Sequence, residues 1–461
     1  MVLRLPGPAK RLAVASLAAA TAACSGTSRA VTEPVEPPPA FSVAGAADLP
    51  GRWWTVFDAP GLDAAVETAL AANLELMAAW ERLRAARAVT DRAAAQRLPF
   101  VDAGASAGVT RPTGAGDSRQ SLVLDLAASY EVDLWGRIDA QVDAERFRAE
   151  ATREDYRTAA LSLSAEVARA WVELAEAATQ VQLVEDQIQT NLTVLGLLEN
   201  RFGTGLVQGV DLIRQRQLIE ATREQRAVAL ETRQLVEHRL AVLLGRAPQQ
   251  GPDVQPADLP VLPPLPDAGV PLELIRRRPD VRSAFLRLRA ADEEVAVAVS
   301  RQFPRLSLSA SIATEGGAAD DLFQDWIRAL GGSLLAPLFY GGELRAEVDR
   351  TRAVRQQRLY EYGQATLRAF REVEDALASE VRQRERLAQI EAQVTLAEQA
   401  LERLQTQYLN GTTDYLDVLT ALEEIQVLSR DRLAARSRLV DVRISLYRAV
   451  AGSFETPREA E

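Results

Sequence analysis

Arg82-Leu83-Arg84-Ala85-Ala86 and Arg287-Leu288-Arg289-Ala290-Ala291 are the same five letters, 205 residues apart. The same offset carries Pro99 onto Pro304, Trp135 onto Tyr340 and Gly136 onto Gly341. Further on, an offset of 206 lays the apolar series Val181, Val184, Ile188, Asn191, Leu195, Leu198, Phe202 over Leu387, Ile390, Val394, Ala397, Leu401, Leu404, Tyr408, and takes Gly205 and Asp211 onto Gly411 and Asp417. The chain is therefore one unit written twice, with one residue gained on the way, and any fold must repeat.

Each copy has the same order of elements. A helix comes first, about Leu62 to Arg97 in one copy and Leu272 to Gln302 in the other, with alanines and leucines at helical spacing and no interior glycine. It stops at Pro99 or Pro304, after which the apolar period drops to two. Leu306, Leu308, Ala310 and Ile312 alternate with Ser307, Ser309 and Ser311, and Leu122, Leu124, Leu126, Ala128 and Tyr130 alternate in the same way. These are half-buried strands, two per copy. Each pair ends in a glycine turn, Trp135-Gly136-Arg137 or Tyr340-Gly341-Gly342.

Helix then resumes. From Ile138 to Arg201 there is no proline and one glycine, Gly196; about 60 residues at ~1.5 Å each make a rod on the order of 90 Å. No compact globule needs such a helix, and its 3-4 spacing is that of a coiled-coil seam. The rod turns at Gly203 to Gly209 and returns along Asp211 to Leu244; the second copy turns at Asn410-Gly411-Thr412-Thr413-Asp414.

The N-terminus reads as a secretory signal, with Arg4, Lys10 and Arg11 before an apolar run Leu12 to Ala20. Thr21-Ala22-Ala23-Cys24 resembles a lipobox, with Thr21 where Leu is usual. Cys24 is the sole cysteine, which supports the expected covalent lipid on it over a plain signal peptide and leaves no disulfide framework. Ser25 resembles an outer-membrane sorting residue. Thr32 to Pro39 is a proline-rich leash. The expected divisions are a signal at 1–23, lipidated Cys24 and tether at 24–50, a first repeat at 51–245, a Pro-rich connector at 246–268, a second repeat at 269–452 and a tail at 453–461.

A net charge of −11 argues against a nucleic-acid partner, because the arginines are dispersed among acids rather than gathered on one face. The single histidine, His238, between Glu237 and Arg239, reads as a surface residue, and with two methionines a thioether metal path has no material. No nucleophile triad, phosphate loop or carboxylate pair has the context of a catalytic site, so neither an enzyme nor any cofactor beyond the lipid is expected. Trp53 and Trp54 fit either a cover over the helices or a lipid interface.

After the signal no stretch of about 20 apolar residues exists, which excludes a helical membrane span. Four strands cannot close a barrel, and an open edge in lipid leaves N–H and C=O groups unpaired. The strands must be completed by other subunits. The expected fold class is an α+β membrane protein, a duplicated long α-helical coiled-coil barrel continuous with a transmembrane β-barrel to which each subunit gives four strands.

Several strings carry a resemblance: Asn73-Leu74-Glu75-Leu76, Ser129 to Arg137 (SYEVDLWGR), Arg276-Arg277-Arg278-Pro279-Asp280-Val281, Pro337-Leu338-Phe339-Tyr340-Gly341-Gly342 and Ala369 to Leu377 (AFREVEDAL). Together, from about Trp53 to Gly452, the chain resembles the outer-membrane factor (TolC-like) family, in its lipoprotein NodT/OprM-type branch. The resemblance implies a homotrimer with one twelve-stranded barrel in the outer membrane and a helical tunnel in the periplasm. It also implies docking to a membrane-fusion adaptor and, through it, to an inner-membrane pump, often of the resistance-nodulation-division class, for export of small molecules. A same-fold duct for type I protein secretion and a pore-less coiled-coil lipoprotein scaffold are the rival readings.

The resemblance also locates a gate at the tips. Tyr408 and Asp417 match the family's gate string, Thr413 and Thr420 depart from it where Arg and a second Asp are found, and Asp211 matches the partner string, with Arg214 one turn on as its counter-ion. Three copies of Asp417 about a narrow axis would form a cation-favouring ring. The bland readings are helix N-caps for both aspartates and plain seam packing for Tyr408. Gly205-Leu206 and Gly411-Thr412 resemble adaptor-docking motifs, although glycine at a helix hairpin also follows from its tolerance of left-handed backbone.

Overall fold

The computed structural model describes residues 34–460, apart from 44, 46, 48, 115, 116, 252–255 and 257. The signal segment and Cys24 lie outside the described residues, as do part of the tether and part of the connector. Contacts divide the chain into Met1–Glu36 and Pro37–Glu461, and every helix and strand named below belongs to the second unit.

The first repeat runs α1 (Pro60–Ala72), α2 (Leu74–Ala94), β1 (Phe100–Thr110), β2 (Arg119–Val132), α3 (Arg137–Gly203) and α4 (Gly209–Leu243). The second runs α5 (Pro271–Arg277), α6 (Pro279–Ser300), β3 (Arg305–Gly316), β4 (Ile327–Leu335), α7 (Glu343–Leu409) and α8 (Tyr415–Val450). Helices α3 and α7 are 67 residues each, which at ~1.5 Å per residue is roughly 100 Å.

The opening helix of each copy is broken, where the sequence suggested one piece. At Asn73 the backbone leaves the helical region (φ −65°, ψ 125°), its side-chain oxygen accepts from the Leu76 N–H at 3.0 Å, and its amide donates to the Leu243 carbonyl at 3.0 Å. Asn73 thus ends one helix and caps the next. At Arg278, the repeat-equivalent position, the backbone adopts φ −72°, ψ 125°, because Pro279 crowds the helical conformation of the residue before it. Apolar periodicity runs through both breaks and hides them.

The four strands form one antiparallel sheet in the order β1-β2-β3-β4, so β2 and β3 join the two copies and β1 and β4 are the edges. Its register sorts the side chains by face. Asp102, Ser106, Asp125, Ser129, Glu131, Ser307, Ser309, Ser311 and Ser333 share one face; Val101, Val109, Leu122, Leu124, Leu126, Leu306, Leu308, Ile312, Leu330 and Leu334 share the other. Gly104 lies opposite Asp125, where any added Cβ would collide with the aspartate carboxylate. Strands of 9 to 14 residues match the tilted strands of a membrane barrel, about 9–11 residues.

The main core lies about midway along the long helices. Trp53 and Trp54 are fully buried in it, with Trp53 stacked on Tyr447, Trp54 edge-on to Phe454, and the Trp53 indole N–H donating to Ser164 Oγ at 3.0 Å. They therefore cover the helices rather than meeting lipid. The tether's end is pinned nearby: Phe41 packs on Phe370, the Ser42 N–H donates to Glu374 Oε1 at 3.0 Å, and Ala47 exchanges backbone hydrogen bonds with Leu265 and Asp267 of the connector.

The connector is itself strapped by α8. Arg443, wholly buried, pairs with Glu380 of α7 at 2.6 Å and donates to the Pro263 carbonyl, and Tyr447 Oη donates to the Pro264 carbonyl at 3.1 Å. Removing one member leaves the other charge stranded. Glu380→Ala is expected to cost about 3–5 kcal/mol in reversible unfolding, whereas Glu380→Leu combined with Arg443→Met should come within about 1 kcal/mol of the parent or exceed it. Chemical denaturation of the three proteins checks this, and equal losses in single and double variants would refute the account.

Candidate functional site

The two turns joining the long helices are built alike. In the first, the Leu206 N–H reaches back to the Arg201 carbonyl at 3.0 Å and Gly205 N–H to Phe202 at 2.9 Å; in the second, Thr412 N–H reaches Gln407 at 2.9 Å and Gly411 N–H reaches Tyr408 at 3.1 Å. This pattern satisfies the last carbonyls of a helix through a residue at positive φ, here Gly205 at 76° and Gly411 at 75°. Helix termination therefore accounts for both glycines. It does not account for Leu206, 68% exposed beside them, or for Phe202, Ile213, Leu409 and Leu416, which also stand open at the tips.

The aspartates are not helix caps. Gln208 and Asp414 hold the N-cap positions, and neither makes a side-chain capping bond. Asp211 and Asp417 each occupy the third residue of the returning helix, where a carboxylate meets the positive end of the helix dipole. Asp211 lies 3.7 Å from Arg214, the pairing expected from the sequence. Asp417 is exposed and accepts a hydrogen bond from the Thr413 hydroxyl. Arg214 and Thr420 line one groove of about 400 Å³ between α4 and α8, together with Glu423 and Arg430.

Tyr408 does belong to the seam, but more meets it there. The Arg201 guanidinium sits 4.9 Å above its ring, and the Tyr415 ring lies 5.7 Å away at 60°. Burial raises the Tyr408 hydroxyl above the ordinary phenol range, and that hydroxyl has no hydrogen-bond partner among the described residues. Tyr415 is deeper, and burial raises its hydroxyl further, with the neighbouring Tyr408 and Asp211 adding to the shift.

From Tyr415 a chain of neutral polar groups runs up through the coil, one that reading the sequence did not single out. Tyr415 Oη donates to Gln215 Oε1 at 2.5 Å, and Gln215 Nε2 donates to the Asn191 carbonyl at 2.7 Å. Gln426 Nε2 donates to Asn191 Oδ1 at 2.8 Å, and Asn191 Nδ2 donates to Thr222 Oγ1 at 3.1 Å. Gln187 Nε2 donates to the Gln426 carbonyl at 3.1 Å, and Gln187 Oε1 accepts from Arg430 at 2.7 Å. Asn191, Gln215, Thr222, Gln187 and Gln426 are all buried. They tie α3 and α4 of the first hairpin to α8 of the second. One signal for it was visible: Asn191 interrupts an apolar seam whose other copy has Ala397.

The arrangement holds two helical hairpins against each other at a tip carrying exposed acid. Proteins of known type have the same build. A family model described as "Outer membrane efflux protein" matches residues 65–246 and 270–452. The pyoverdine export outer membrane protein OpmQ of Pseudomonas aeruginosa is 31% identical over 422 residues, covering 88% of each chain. Among solved structures, the outer-membrane channel OprN superposes with a TM-score of 0.83 at 29% identity, covering 92% of this chain and 99% of that one. The outer membrane protein VceC of Vibrio cholerae gives 0.81 at 27% identity, covering 88% and 100%.

Removing the Tyr415 hydroxyl should leave Gln215 without its donor. Tyr415→Phe is expected to lose about 1–3 kcal/mol of stability at neutral pH. A phenol whose pKa is raised by folding stabilises the fold fully below its unfolded value of about 10, and that stability is lost as pH rises through the folded value. The Phe variant should accordingly show a shallower alkaline decline in thermal unfolding above about pH 10; an unchanged slope would assign that decline to other groups.

Proposed function

This chain belongs to the outer membrane efflux protein family, and from that premise we propose that it is the exit duct of a tripartite efflux assembly, passing small molecules from the periplasm across the outer membrane. It is an outer-membrane protein of the efflux class, and its fold is that of the family's channels. The observation that carries the duct reading is the sheet: one face mostly polar, the other mostly apolar, both edges unpartnered among the described residues, and each strand pair leading into a helix roughly 100 Å long. Among the described residues no helix is long and apolar enough to cross a membrane.

Three subunits closing their sheets edge to edge would give twelve strands, the apolar faces toward lipid and the serine and acid faces toward water. The long helices would continue that wall as a tunnel closing at the tips. Lipid on Cys24 would hold the assembly to the membrane. Exposed Leu206 and Thr412 beside the two tip glycines offer a surface for a periplasmic adaptor, which would link the duct to an inner-membrane pump supplying energy. The subunit would perform no chemistry of its own, and solute choice would rest with the pump and adaptor. Efflux is preferred to protein secretion because the family is one of efflux proteins and the solute that OpmQ exports is pyoverdine.

Asp417 is the acidic group proposed to face the closed axis, and Thr420 the missing second one. In planar bilayers the protein is expected to conduct with a preference for cations. Asp417→Ala should reduce that preference severalfold, and Thr420→Asp should increase both it and block by trivalent cations added from the periplasmic side. Absence of any conductance, Asp417→Ala included, would sink the duct reading. Failure of crosslinking in cells to recover an inner-membrane partner would sink the tripartite one.

A further inference from the structure

The place where the sheet meets the long helices carries a cavity of about 280 Å³ lined by Arg137, Arg301 and Arg305, with Leu335, Pro337, Tyr340 and Leu344 completing its wall. We propose that this cavity binds the anionic group of a small solute, a phosphate or paired carboxylates, on the wet face of the barrel at its junction with the tunnel.

The balance of charge supports an anion. Arg137 is committed, its guanidinium lying 2.9 Å from Glu131 and its Nη1 donating to Gln141 at 3.3 Å. Arg301 and Arg305 have no carboxylate within ion-pair distance among the described residues. Of the nearby acids, Glu347 is taken by Arg350 at 2.7 Å and feels Arg301 only at longer range, and Asp139 is taken by Arg97 at 2.7 Å. Two acids here have no ion pair among the described residues: Glu343 in the first turn of α7, and Asp133, which continues the β2–β3 register opposite Arg305 and accepts a hydrogen bond from the Asp139 N–H. Two guanidinium groups without a direct counter-ion therefore face one small cavity. Their planar, forked donors fit phosphate and carboxylate oxygens two at a time. Helices α3 and α7 both begin here, at Arg137 and Glu343, so two positive dipole ends meet the one negative end of α6, which Arg301 caps.

Position in the sheet says which side the site is on. Arg305 pairs with Leu335, two residues along from the Ser307 and Ser333 pair, so both belong to the face that bears Asp125, Ser129 and Glu131 rather than to the leucine face. The charge is also not a requirement of the fold. At the repeat-equivalent positions the first copy has Gln96 and Phe100, and it makes the same helix-to-strand passage with them. The cavity's size suits a small dianion, below the roughly 300–1,000 Å³ typical of drug-sized ligands.

That a passing solute meets this site rests on the duct reading; that the cavity binds an anion does not. Calorimetric titration of the full-length protein in a zwitterionic detergent with inorganic pyrophosphate at low ionic strength tests the latter. Saturable binding is expected, weakening as salt is raised, at least tenfold weaker in Arg301→Gln with Arg305→Gln, and unchanged in Arg382→Gln, an exposed arginine of α7. No saturable binding, or equal affinity in the double variant, overturns the proposal. Repeating the titration in nanodiscs of phosphatidylcholine with and without phosphatidylglycerol separates the two sources of such a group: loss of pyrophosphate binding only with phosphatidylglycerol assigns the site to a lipid phosphate, and undiminished binding assigns it to a free anion. Because the heat is read without any current, a failed conductance assay would leave this result intact.

Discussion

An antiparallel sheet of four strands leaves the outward N–H and C=O groups of its first and last strands without partners, and in hydrocarbon those groups have no water to turn to. Most of what is unusual in this chain follows from that constraint. The sheet has to meet copies of itself, so its edges stay uncapped. Its two faces have to differ, so serine and acid alternate with leucine and valine. The strands have to leave the membrane in step, so Gly136 and Gly341 turn each pair straight into a helix. Duplication is a short route to such a sheet, because one strand pair copied once supplies two outer and two inner strands whose pairing, β2 with β3, joins the copies.

The sequence displays the parts of this plan that rest on periodicity and on backbone exceptions. Pro99 and Pro304 mark where period 3.6 becomes period 2, and Gly205 and Gly411 mark where a rod must reverse; each is a local necessity visible in single letters. The helix breaks at Asn73 and Arg278 escaped because the residues around them keep their apolar spacing, and the break is made by a long-range bond to the Leu243 carbonyl in one copy and by proline crowding in the other. Trp53 and Trp54 could be placed only once Tyr447 and Phe454, some 400 residues away, were seen against them.

The tip was readable as a location and less so as a mechanism. Asp211 with Arg214 followed from helical spacing. The relation of Tyr415 to Gln215, and of Gln426 to Asn191, did not, because each joins residues more than 190 positions apart with no shared periodicity. A buried asparagine in a leucine seam is a costly choice unless its partners are present, and only the fold shows that they are. Helix termination explains the tip glycines without reference to a partner, which leaves the exposed leucines around them as the part of the surface that calls for one.

The chain of buried amides also sets what kind of movement the tunnel end can make. Each amide in it meets its partners at a single height along the coil. Sliding α8 by one helical turn, about 5.4 Å, would break these links together, and because the positions one turn to either side of Gln426 are Leu422 and Arg430, no second amide would re-form them as a set. Rotation of one hairpin about the chain's upper end, by contrast, strains only the lowest links near Tyr415. Within one subunit these links thus oppose a slide of α8 along the first hairpin more than a tilt about their upper end.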